Sequence, residues 1–106
     1  MSLERVIEAL IGLGLSGVDA EVYVYLAKKE PQTALDLARA LNITKQKMYT
    51  SLKNLQTKGL VTKEQTLFFA LHFEEALGIL IKTKKKQAQS MHENKEELLA
   101  SWKTKE

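Results

Sequence analysis

Thr33-Ala34-Leu35-Asp36-Leu37-Ala38-Arg39-Ala40-Leu41-Asn42-Ile43-Thr44-Lys45-Gln46-Lys47-Met48-Tyr49-Thr50-Ser51-Leu52-Lys53-Asn54-Leu55 is the stretch that decides the fold. It reads as two helices separated by a turn of about three residues. Thr33 is an N-cap residue with Asp36 at the capping-box position, and Ala34, Leu37, Ala38 and Leu41 recur at helical spacing. Asn42 tolerates the left-handed conformation that a tight turn needs. Ile43 points inward and Thr44 caps the second helix, which runs to about Lys58 and stops at Gly59. This is the helix-turn-helix layout.

The period changes on both sides of this pair. Upstream, residues 2–11 predict a helix with Leu3, Val6, Ile7, Leu10 and Ile11 on one face. Gly12-Leu13-Gly14-Leu15 ends it. Ser16 caps a second helix reaching about Lys29, with Asp19 at its capping-box position and Val18, Val22 and Leu26 as its stripe. The segment Val22-Tyr23-Val24-Tyr25 has strand-like composition, but the cap and the i, i+4 spacing favour helix. Downstream, residues 60–63 and 67–71 predict two strands joined by Glu64-Gln65-Thr66. Residues 73–104 then read as one helix about 48 Å long at 1.5 Å per residue. Phe73, Leu77, Leu80 and Ile81 are expected to pack on the first helix. The predicted fold is mainly α with a small β-hairpin: a winged helix-turn-helix over residues 1–72, followed by a long C-terminal helix over residues 73–106.

Composition narrows the function. The 106 residues are 44% hydrophobic and 27% charged, which suits a folded domain rather than a disordered chain. The sequence has no cysteine, which excludes disulfides and thiolate metal sites and fits a reducing cytoplasm. No apolar run approaches the ~20 residues of a membrane span, and the N-terminus lacks the pattern of a signal peptide. The formal charge of +3 is unevenly spread. Residues 1–43 sum to −2 and residues 64–106 to 0, while residues 44–63 hold Lys45, Lys47, Lys53, Lys58 and Lys63 with no acid, +5. A focused patch of this kind is the footprint of a polyanionic partner, and its structural alternative is a solvated lysine face.

The second helix of the pair sharpens the choice. At roughly 100° per residue, Met48, Leu52 and Leu55 face the core, while Gln46, Tyr49, Thr50 and Lys53 gather opposite them, flanked by Lys47 and Asn54. That outer face carries no carboxylate. It offers an amide suited to adenine, hydroxyls, and lysine for guanine or phosphate, and the helix N-terminus at Thr44 favours phosphate. The expected contacts to double-stranded DNA are Thr33, Thr44, Lys45, Gln46, Lys47, Tyr49, Thr50, Lys53, Lys58 and Lys63. Glu64 at the wing tip argues against deep insertion of the wing.

Other candidate chemistry is sparse. Gly12-Leu13-Gly14-Leu15-Ser16-Gly17 matches the dinucleotide pattern G-x-G-x-x-G by letter, but it follows a helix and no parallel sheet can form around it. His72 and His92 are the only histidines. Neither has a partner set for metal binding or acid–base catalysis, so no enzymatic activity, cofactor, metal or small-molecule effector is expected. In the last helix, Lys84, Ala88, Met91, Lys95, Leu98 and Trp102 fall at steps of four and three, a heptad frame with two lysines in its seam. Leu98 and Trp102 lie far from any core, so Ala88, Met91, Leu98 and Trp102 are expected to pair with a second copy of the chain. Lys84-Lys85-Lys86 reads as a solvated run or as a flanking contact to phosphate.

A family resemblance adds to this reading. Leu13-Gly14-Leu15-Ser16, Ala20-Glu21-Val22-Tyr23, Thr33-Ala34 with Leu37-Ala38, and Lys47-Met48-Tyr49 with Leu52, Leu55 and Lys58-Gly59-Leu60-Val61 resemble the N-terminal winged-helix domain of TrmB-like regulators. That family is common in archaea, and the resemblance covers about residues 10–72. It implies DNA binding by the second helix of the pair, usually as a dimer, and regulation of transcription. Asp19 and Met48 are mild departures. Longer members continue into a sugar-binding domain, so this chain resembles the short, DNA-binding members and no effector response carries over. The alternative from another class is a winged-helix protein–protein module in a transcription or chromatin assembly. Such a module would show apolar or mixed-charge residues on that outer face.

Overall fold

A computed structural model describes residues 3–104. The element order is α1 (Leu3–Gly12), α2 (Gly17–Lys28), α3 (Ala34–Leu41), α4 (Lys45–Thr57), β1 (Val61–Glu64), β2 (Leu67–Ala70), α5 (Phe73–Glu93) and α6 (Lys95–Thr104). The expected start of the first helix at Ser2 lies outside the described residues.

Three helices end in the same way. The Leu15, Ile43 and Leu60 amides each reach back five residues, to the carbonyls of Leu10, Ala38 and Leu55. The turn before each carries a left-handed residue: Gly14 at φ 113°, Asn42 at φ 53° and Gly59 at φ 79°. This is the Schellman closure, which satisfies carbonyls that a helix end leaves free. Gly14, rather than Gly12, is therefore the stop for α1. The N-termini are closed by hydroxyls. Ser16, Thr33 and Thr44 accept from the amides of Asp19, Asp36 and Lys47 at 3.1, 3.2 and 3.2 Å.

Helix α2 lies at the centre. Ala20, Val22, Tyr23, Val24 and Leu26 are all buried, because α1, α3, α4 and β2 each touch it. A helix surrounded in this way loses its one-sided pattern, which is why its sequence resembles a strand. Val18 does not belong to the stripe expected of it and is 41% exposed. The Tyr23 hydroxyl donates to the Leu71 carbonyl, pinning the exit of the wing to α2.

β1 and β2 pair antiparallel in the register Val61↔Ala70 to Glu64↔Leu67. Glu64 is thus in the strand and the turn is Gln65-Thr66 alone. Gln65 has φ 56°, as at the first central residue of a type II′ turn. An isolated β-bridge, unforeseen in the sequence, adds Gln32 beside β2, its carbonyl accepting from the Phe68 amide at 2.8 Å.

α5 completes the core with Ala76 and Leu80, while Leu77 packs part-buried against it. Phe73 and Ile81, expected inside, are exposed. The expected single helix is interrupted at Asn94, whose φ −93° and ψ 9° leave the helical region. The ladder nevertheless carries across it, from the Asn94 amide to Ser90 and from the Leu98 amide to Asn94. The projecting helix explains a radius of gyration of 16.9 Å, against roughly 13 Å for a compact chain of this length.

Candidate nucleic-acid interface

Two faces of α4 have opposite fates. Met48, Leu52 and Leu55 are buried to 1% exposure or less, which fixes the helix on α2 and α3. Each such side chain contributes about 1.5–3 kcal/mol on burial. Lys45, Gln46, Lys47, Tyr49, Thr50, Lys53, Asn54 and Lys58 are exposed, as the sequence places them. Gln46, Thr50 and Lys53 sit near the centre of that outer face by helical phase. No acidic side chain stands anywhere on α4.

Hydrogen bonds restrict what several of these groups can offer. Thr44 accepts from the Lys47 amide as a cap, leaving its hydroxyl proton free. The Thr50 hydroxyl donates to the Gln46 carbonyl at 3.1 Å, so it presents only acceptor capacity outward. The sequence reading allowed Thr50 to bond in either sense. Lys58 is the C-cap of α4. Lys63 is exposed on β1, with its ammonium 5.4 Å from the centroid of the Phe68 ring, its cross-strand neighbour. Thr33 is part-buried as the N-cap of α3, next to the Gln32–Phe68 bridge.

The residues expected in self-association are also exposed. Met91 is 65%, Leu98 55% and Trp102 70% accessible, and Ala88 lies on the same bare stretch. Lys84 differs from its expected place in the seam. Its ammonium donates to the Gly12 carbonyl at the end of α1, where a cation meets the negative end of the helix dipole.

Sequence reasoning missed one polar contact in this region. Asp19 was expected to complete a capping box. Instead, its carboxylate turns inward and accepts from the Ser51 hydroxyl at 2.6 Å, with both residues buried. The signal was a lone serine among Met48, Leu52 and Leu55. Among the described residues, no group of three or more His, Asp or Glu is placed to hold a metal ion. An apolar groove of about 510 Å³ between α1, α2 and the β2–α5 junction is rimmed by Lys28, Lys29 and His72. No helix among the described residues is long and apolar enough to cross a membrane.

Three helices, a turn led by Asn42 and a two-stranded wing define a winged helix-turn-helix domain. The sequence profile of the family described as "Sugar-specific transcriptional regulator TrmB" matches residues 10–74, and the chain belongs to that family. No curated protein matches the chain. Among solved structures it is similar to TrmBL2, an archaeal chromatin protein described as showing a novel mode of DNA binding. The two share 23% identity over 96% of this chain and 41% of that one, with a TM-score of 0.78. It is also similar to a possible transcriptional regulator from Methanosarcina mazei Go1, with 17% identity over 92% of this chain and 88% of that one, TM-score 0.68. AbfR of Staphylococcus epidermidis shares 20% identity over 92% and 81% of the two chains, TM-score 0.55. The chain thus spans about two fifths of the length of TrmBL2.

Proposed function

We propose that this chain is a sequence-specific regulator that binds double-stranded DNA as a homodimer in the cytoplasm, with α4 in the major groove. The observation that carries this reading is the outer face of α4, exposed, polar and free of acid, on a helix locked from behind by Met48, Leu52 and Leu55. Gln46 and Thr50 read bases, with Gln46 suited to adenine and Thr50 accepting from a base amino group. Lys45, Lys47, Lys53 and Lys58 meet phosphate, with Lys63 on the wing and Thr33 and Thr44 at helix starts. Membership of a transcriptional-regulator family, and a neighbour described as binding DNA, support the same assignment.

Residues 1–72 form the reading unit and residues 73–106 the means of dimerisation. Ala88, Met91, Leu98 and Trp102 meet the same stripe of a second chain, with Leu3 and Ile7 of α1 alongside. Two-fold pairing sets two copies of α4 on successive major grooves, about 34–36 Å apart. Neither a small-molecule effector nor catalysis enters this reading.

Fluorescence anisotropy with duplex DNA at several salt concentrations tests it. A dimer neutralising on the order of six phosphates gives a slope of log K against log salt of about −5. Binding indifferent to salt, or none to any duplex at low salt, would sink the assignment.

A further inference from the structure

Among the described residues, two polar side chains are buried, Asp19 on α2 and Ser51 on α4. Ser51 lies on the buried face of α4 at 2% exposure, and Asp19 faces it at 4%. Their side chains meet in a 2.6 Å O–H···O bond, the Ser51 hydroxyl donating to Asp19 Oδ1. Asp19 is the third residue of α2, and its amide is already held by the Ser16 cap. The carboxylate therefore sits in the first turn of α2, near the positive end of the helix dipole.

Such a pair is a poor way to hold two helices together. Taking a carboxylate out of water is costly, and apolar residues of similar volume often serve as well. Cohesion here comes from Met48, Leu52 and Leu55, whose hydrophobic driving force is non-directional. A short hydrogen bond is directional, so what it adds is register. An open surface groove beside the pair is lined by Val18 and Asp19 together with Gln46, Thr50 and Ser51, so the pair borders the same surface as the two residues read as base contacts. Gln46 and Thr50 lie five residues and one residue before Ser51 on the same helix. With side chains ending about 5–6 Å from the helix axis, a roll of roughly 20° moves their tips by about 2 Å.

We propose that Asp19, acting through Ser51, is a positioning residue that sets the roll of α4 and so determines how sharply the protein discriminates between DNA sequences. The proposal rests on the reading of α4 as the DNA-reading helix. The pair fixes where Gln46 and Thr50 point, while the lysines, on long flexible stems, tolerate the roll and keep their hold on phosphate.

The test compares wild type, Ser51→Ala and Asp19→Asn, measuring affinity for the preferred duplex and for a scrambled one. Ser51→Ala is expected to keep its scrambled-duplex affinity and salt slope while its discrimination falls roughly tenfold, the equivalent of one misread base pair. Asp19→Asn retains an acceptor for Ser51 and keeps most of the discrimination. Variants that unfold more easily yet discriminate like wild type would show the pair to be structural only, overturning the proposal. Wild type that binds no duplex would remove the DNA reading itself. Residual dipolar couplings of the free protein then judge the pair separately. They are expected to show a broader spread of α4 orientations relative to α2 in Ser51→Ala, and an unchanged spread would overturn the positioning role.

Discussion

The chain up to Leu80 and the chain beyond it form helices for different reasons. In the first region every element contributes to one cluster of buried side chains, from Leu10 on α1 to Leu80 on α5. After Leu80 no described residue is buried, although the backbone is helical to Thr104. Tertiary packing makes the first set of helices, whereas the second relies on its own length and local sequence. Isolated helices shorter than about 12–15 residues are marginal in water; α5, with 21 residues, exceeds that length, whereas α6, with 10, does not. Its apolar side chains, Trp102 foremost, still lack a surface to meet. The difference separates folding from assembly, and substitutions in the two regions are expected to behave differently.

The largest effect belongs to the core. Leu52→Ala removes a side chain that is 1% exposed and is expected to destabilise the fold by about 2–5 kcal/mol, as read by urea unfolding. A cost under about 1 kcal/mol would mean that α4 is not seated as described.

Next comes a pH effect. Burial pushes the Tyr23 hydroxyl up from 10.0 to about 12. Its neutral form is the one the fold accepts, donating to the Leu71 carbonyl. An unfolded chain gives up this proton near pH 10 and the folded chain two units later. The stability linked to Tyr23 is therefore whole below pH 10 and falls as pH rises from 10 to 12, by roughly 2–3 kcal/mol. Absorbance at 295 nm is expected to show a late ionisation that Tyr23→Phe removes. Loss of no such component would place the hydroxyl in water.

Thr33→Ala deletes the hydroxyl that accepts from Asp36 and is expected to cost about 1 kcal/mol, measured by the same unfolding curves. Smallest for the fold is Trp102→Ala, within about 0.5 kcal/mol for the isolated monomer. The same change, or removal of residues 90–106, is expected to abolish self-association while leaving a folded winged domain. Sedimentation separates the cases. A full chain that is monomeric at tens of micromolar, or a truncated chain still dimeric, would break the division between folding and assembly.

Much of this was legible in the sequence because local chemistry dictates it. Thr33, Asn42 and Thr44 mark the helix-turn-helix by the roles their side chains play at helix ends. The acid-free face of α4 follows from helical phase alone. What escaped depends on long-range contacts. The carboxylate of Asp19 is drawn from its own helix start to Ser51, 32 residues away. Gln32 forms its single β-bridge only because Phe68 arrives beside it. Val18 and Ile81 keep helical spacing with buried neighbours, yet the elements that would cover them pack elsewhere. Helix periodicity states which residues share a face, not how far the neighbouring layer extends.

Selection of bound sequences from a random duplex pool, run in parallel with wild type and Gln46→Ala, tests the central claim that α4 reads the major groove. The expected result is a short enriched site for wild type. With Gln46→Ala, preference is lost at one position per half-site and affinity for the original site falls by about 1–3 kcal/mol. An unchanged site with Gln46→Ala, while binding persists, would contradict the assignment of α4 as the reading helix.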